Sequence, residues 1–180
     1  MKNIKYFFEF IIIITFFSIF KIIGYRNASN LGEKIGKIFG PLFRSSHVIQ
    51  KNLENLNDSY SHNEKKNIIK NMWGNYGRIF AEYMYLEKFR NNVLSGNIEI
   101  NGQKILDEII SKKEPVIFVS GHFNNFELMA MHLEKSGINL AAIYRPLNNK
   151  FLNPLMEKIR KKYICKNQIK KGIAGTKEIL

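Results

Sequence analysis

The segment VSGHFNNFE, residues 119–127, carries a histidine and a glutamate five positions apart. An imidazole can take a proton from a hydroxyl near neutral pH. A carboxylate behind it can fix the tautomer and steady the imidazolium that forms. Five steps along a helix turn two side chains about 140° apart. His122 and Glu127 therefore meet only if His122 lies in a turn ahead of the helix and folds back over its first residues. No nucleophile accompanies them, because Ser120 does not sit in a G-x-S-x-G elbow. A histidine and carboxylate without a nucleophile suit direct transfer, in which the base activates an acceptor's own hydroxyl for attack on a thioester. The same residues admit a plainer reading: Asn124 caps the helix and Glu127 completes a capping box. His122, Glu127 and His132 lack the H-E-x-x-H spacing of a zinc site. No metal and no other cofactor is expected.

Elements on either side must position that turn. NIEI (97–100) alternates like a strand, and residues 102–114 have helical spacing. PVIFVS (115–120) is a short β-branched run of the kind that fills a buried parallel strand. Residues 124–137 predict a helix closed by Gly137, 138–145 a strand and 153–163 a helix. Strand alternating with helix predicts an α/β fold with a mostly parallel sheet and flanking helices. His122 would then stand at the carboxyl edge of the sheet, where such folds build their sites.

The chain before residue 96 reads as helical. Between Asn30 and Phe43, Leu31, Ile35, Ile38, Phe39 and Leu42 recur at helical spacing among lysines, and Gly40-Pro41 marks the end. This amphipathic helix could line an acyl groove, rest on anionic lipid or pack on the next helix. Residues 45–57 predict a second helix, and Asn57-Asp58-Ser59 a turn. Ser61 to Glu64 is a capping box opening a third helix, which runs through Ile68, Met72, Trp73, Ile79 and Tyr83.

Tyr6 to Ile23 is dominated by Phe and Ile and is about long enough to cross a bilayer, with Glu9 and Lys21 near its ends. No small-residue cleavage site follows, so an uncleaved membrane anchor is expected. Lys21, Arg26, Lys34, Lys37 and Arg44 outnumber Lys2 and Lys5, which places the body on the cytoplasmic side. A helix lying in the interface is the alternative, because Glu9 shortens the clean apolar run. With 28 Lys and Arg against 15 Asp and Glu, the net charge of +13 should attract nucleic acid, anionic lipid or an acidic carrier protein. The lysines are dispersed and no nucleic-acid motif accompanies them, which disfavours the first. The single cysteine, Cys165, forms no intramolecular disulfide. Its lysine-rich surroundings would suit a reactive thiol, and its residue type an ordinary packed side chain. Thr176 to Leu180 opens a helix without a stop signal, so the chain reads as truncated. The expected partition is an anchor over 1–25, a helical region over 26–95 and the first part of an α/β domain over 96–180.

GHFNNFE resembles the G-H-F-G-N-W-E motif of the lipid A biosynthesis acyltransferases, a branch of the H-x4-D/E glycerolipid acyltransferases. Other residues occur in that family's order: the apolar amino terminus, Asn52-Leu53, the W-x-N-x-G-R run from Trp73 to Arg78 with Glu82, Tyr144-Arg145-Pro146, and Asn153-Pro154 followed by Ile159-Arg160. The resemblance covers essentially the whole chain. It implies transfer of a fatty acyl chain from acyl carrier protein to a hydroxyl of a lipid A precursor at the cytoplasmic face of the inner membrane. His122 would be the base and Glu127 its partner, with Arg145, Arg160 and Asn125 on the substrate; an arginine fork suits phosphate. Trp73, Arg78 and Glu82 would order the helical layer. Asn124 replaces a glycine of the motif and Phe126 a tryptophan. A lysophospholipid or glycolipid acceptor, or an inactive membrane-anchored lipid-binding fragment, is the alternative.

Overall fold

A computed structural model describes residues 2–44, 46–56 and 59–179. The chain forms two compact units, residues 14–85 and residues 1–13 with 86–180. One continuous helix, α1 (Lys2–Ile23), contributes its first half to one unit and its second half to the other.

Residues 14–85 are helical. After α1 come α2 (Tyr25–Phe39), a 3-10 turn (Gly40–Leu42), α3 (Ser46–Leu56), α4 (His62–Glu82) and a second 3-10 turn (Tyr83–Tyr85). The expected turn at Asn57-Asp58 lies outside the described residues. The capping box forms as its spacing predicts: Ser61 Oγ accepts from Glu64 N, and Glu64 Oε2 accepts from Ser61 N at 2.8 Å. Phe17 and Phe20 of α1 pack on Phe80 of α4, with ring centroids 5.0 and 5.9 Å away.

The face by which α2 meets α4 is not its apolar stripe. Gly32, Gly36 and Gly40 lie against Gly77, the Trp73 carbonyl and the Trp73 ring. A Cβ at Gly32 would run into the Gly77 carbonyl, and one at Gly77 into the Gly32 carbonyl. The two backbones thus approach as only hydrogen-bearing Cα atoms permit. A polar lattice stitches the same seam. Arg78 Nη1 donates to Ser29 Oγ at 3.0 Å and to Asn30 Oδ1 at 3.2 Å, Arg78 Nη2 pairs with Glu33, and Ser29 donates to the buried Glu82 at 2.9 Å. Trp73, Arg78 and Glu82 are therefore structural residues of the helical layer.

The other unit holds α5 (Leu86–Arg90), a 3-10 turn (Ser95–Asn97), α6 (Gln103–Lys112), α7 (Glu127–Lys135), β1 (Ala141–Tyr144), α8 (Leu152–Tyr163), β2 (Asn167–Lys170) and α9 (Ile173–Ile179). β1 and β2 run parallel, in register from Ala141 opposite Asn167 to Tyr144 opposite Lys170, with α8 as the crossover. Leu86, Phe89, Met131, Ile164 and Ile169 form its core.

The helices around the site and the strand after Gly137 fall where the sequence puts them; the larger sheet does not. Among the described residues the sheet has two strands, and the fold is mostly helical. NIEI (97–100) and PVIFVS (115–120) are irregular, and Ile117 and Val119 are 89% and 90% exposed. A β-branched run encodes an extended backbone, but a strand also needs a neighbour to take its N–H and C=O groups. Among the described residues neither run has one. β2 goes unread in the sequence because Asn167-Gln168-Ile169-Lys170 buries only Ile169.

Candidate active site

The turn ahead of α7 is built on one residue with an unusual backbone. Asn124 has φ +45°, in the left-handed region. Asparagine is among the few side chains that visit this region readily, which explains physically why it can replace the glycine of the motif it resembles. Phe126 N then donates to the Asn124 carbonyl at 3.1 Å, Leu128 N donates to the Asn125 carbonyl at 3.1 Å, and α7 begins at Glu127. No side chain caps α7, so the capping-box reading of Asn124 and Glu127 is not realised.

His122 lies in this turn, exposed, with its ring 4.2 Å from that of Phe126 and inclined at 60°. The imidazole therefore rests on Phe126, the residue before Glu127. No hydrogen bond joins His122 to Glu127 among the described residues. The buried Glu127 carboxylate is held by Arg160, whose Nε and Nη2 lie 2.9 and 2.6 Å from Oε1. Two of the sequence-predicted residues, Glu127 and Arg160, are therefore brought together as partners. Asn125 is half-buried in the turn between them and His122, and Arg145 is exposed just beyond β1.

Arg160 reaches Glu127 because α8 turns a polar stripe inward. Asn153, Glu157 and Arg160 recur at four and three residues, one helical face. Asn153 Nδ2 donates to Glu157 Oε1 at 2.8 Å, its Oδ1 accepts from Leu147 N at 2.8 Å, and the Tyr144 hydroxyl donates to Glu157. Burial, then the bond to Glu157, pushes the Tyr144 phenol up to about 12. The Tyr144 bond in turn holds Glu157 below the usual carboxylate range. Tyr144 entered the sequence reading only as part of the Tyr144-Arg145-Pro146 run, with no role assigned, and Glu157 not at all, although the 153–157–160 spacing carried the signal.

A cavity of about 550 Å³ opens beside the turn. Ile98, Ile105, Leu106, Phe118, Leu128 and Met129 line it, with Asn124 at its wall. His132 also lines it, its Nε2 3.1 Å from Gln103 Oε1. Cys165 belongs to neither feature. It is 1% exposed, its Sγ lies 3.0 Å from the Leu140 carbonyl, and burial pushes its thiol up, so it is a packed residue and not a reactive one.

The family model described as bacterial lipid A biosynthesis acyltransferase matches residues 1–171. No curated protein and no solved structure matches. That match covers nearly the entire sequence, including the His122 turn, α7 and the arginine-bearing α8. The chain belongs to the bacterial lipid A biosynthesis acyltransferase family.

Proposed function

We propose that the chain moves a fatty acyl group from acyl carrier protein to a hydroxyl of a lipid A precursor at the cytoplasmic face of the inner membrane. His122 takes the proton of the acceptor hydroxyl. The oxygen attacks the thioester carbonyl, the carbon–sulfur bond breaks, and the departing thiolate accepts the proton. Glu127 steadies the imidazolium from behind, and Arg160 holds that carboxylate in place. Arg145 and Asn125 face the substrate, Arg145 toward acceptor phosphate. The apolar cavity beside Asn124 takes the acyl chain, and the net charge of +13 favours an acidic carrier. Residues 1–25 act as the anchor, 26–95 as the helical layer and 96–180 as the part that bears the chemistry.

The observation that carries this reading is an exposed imidazole in the same short turn as a buried carboxylate held by an arginine. Transfer of labelled acyl chains from acyl carrier protein to a lipid A precursor, with His122→Ala and Glu127→Gln compared to wild type, tests it. Each variant is expected to lose about 10²–10⁴ in rate. Retention of most of the activity by His122→Ala would overturn the assignment.

A further inference from the structure

The stretch of chain between β1 and α8 is short and firmly tied. Tyr144 closes β1, and its carbonyl accepts from Lys171 N at 2.8 Å, just past the end of β2. Its hydroxyl donates to Glu157 of α8. Further on, Leu147 N donates to Asn153 Oδ1 at 2.8 Å, and Asn153 Nδ2 donates to Glu157 Oε1 at 2.8 Å. Asn149 Oδ1 then accepts from Phe151 N and Leu152 N, at 3.0 and 3.2 Å, where α8 opens. Pro146 adds a covalent restraint, because the residue before a proline is pushed toward extended backbone. That residue is Arg145.

Arg145 is the one ionisable residue between Tyr144 and Lys150. It is exposed, and among the described residues its guanidinium has no hydrogen bond or ion pair. Glu157 is already occupied: Tyr144 and Asn153 share its Oε1, and Lys170 Nζ stands 3.6 Å away. An arginine on a loose loop must order its backbone when it takes up an anion, and the lost entropy weakens binding. Here the segment is ordered beforehand, by two polar side chains of the inward face of α8. An apolar side chain would serve packing there without polar atoms to satisfy.

We infer that Asn153 and Glu157 are positioning residues: through Leu147 N and the Tyr144 hydroxyl they hold residues 144–147 so that Arg145 presents its fork to a phosphate of the acceptor. They act through Arg145 and not on the substrate. This rests on the reading of Arg145 as the residue that meets acceptor phosphate, and adds what fixes it there.

The test is steady-state transfer from acyl carrier protein by the full chain, with a phosphorylated lipid A precursor and its dephosphorylated counterpart as acceptors. The variants are Arg145→Ala, Tyr144→Phe, Asn153→Ala, and each of the last two combined with Arg145→Ala. Tyr144→Phe removes one hydroxyl and keeps the ring, which makes it the gentler probe. Tyr144→Phe and Asn153→Ala should each raise KM for the phosphorylated acceptor at least about threefold, with kcat within about twofold of wild type and KM for the carrier unchanged. On the dephosphorylated acceptor both should stay within about twofold of wild type, and on the Arg145→Ala background neither should raise KM further. An equal loss on both acceptors, or one that persists without Arg145, would mark a general packing role and overturn the inference. So would unchanged KM in both variants while Arg145→Ala raises it. If Arg145→Ala itself leaves KM unchanged in an active enzyme, the assignment of Arg145 fails together with this inference, while that of His122 stands.

Discussion

Arg160 places two nitrogens on a single oxygen of Glu127, Nε at 2.9 Å and Nη2 at 2.6 Å. The glutamate side chain is 8% exposed and the arginine 21%, so the pair is largely but not wholly withdrawn from water. Arg160→Met leaves the carboxylate buried without its cation. It should cost up to about 3 kcal/mol, the lower end for a broken buried pair because Arg160 keeps some solvent. Arg160→Lys restores charge without the fork and should recover only part of that loss. Denaturant unfolding of the detergent-solubilised protein measures both.

The α2–α4 seam predicts a sharp difference between glycines. Gly77→Ala drives a methyl into the Gly32 carbonyl, a backbone atom that cannot swing aside. A loss of about 1–3 kcal/mol is expected, as for other overpacked interiors. Gly96 has open space around its Cα, and Gly96→Ala should stay within about 0.5 kcal/mol of wild type. Thermal unfolding followed by circular dichroism separates the two.

Asn124 predicts a backbone effect at the site itself. Its positive φ is accessible to glycine without strain, so Asn124→Gly should fold and retain transfer activity. A β-branched side chain is poorly tolerated there. Asn124→Val should cost about 1–2 kcal/mol and reduce the rate by displacing His122.

Acid should weaken both units. Glu33 is held below the usual carboxylate range by its bond to Lys37 and by the charge of Arg78, and Glu157 by its bond to Tyr144. A carboxylate that binds protons less readily when folded than when unfolded adds stability above the unfolded value, about 4.3. That contribution is complete above about pH 5 and is lost as the pH falls through the lowered folded values. The unfolding midpoint should therefore decline below pH 5, and Glu157→Gln should flatten part of the decline.

The helices were legible because their signals are local. The Ser61–Glu64 box names its own start, and Gly137 falls directly after the helix turn that follows Lys135. The turn bearing His122 was legible for the same reason. What the sequence misplaced depends on partners elsewhere in the chain. PVIFVS has the composition of a buried strand, yet β1 pairs with Asn167–Lys170, whose composition announces nothing. The Leu31–Leu42 stripe left open whether it lines a groove, meets lipid or packs on the next helix; Gly32, Gly36 and Gly40 make the close approach to α4, and apolar periodicity does not register glycine. Glu127 and Arg160 were both singled out, but not as a pair, because they stand 33 positions apart with a strand and most of α8 between them.

The Tyr85 hydroxyl donates to the Phe20 carbonyl at 2.5 Å and takes a bond from the Gly24 backbone. Phe20 lies in the last turn of α1, where carbonyls lack helical donors, so Tyr85 seals the end of that helix from within. The amino-terminal segment is consequently masonry as well as mooring. A shortened protein that begins after Ile23, the usual remedy for poor solubility, would strip Phe17 and Phe20 from Phe80 and remove the Phe20 carbonyl to which the Tyr85 hydroxyl donates. Detergent chosen to suit the intact chain is the sounder route to a well-behaved sample.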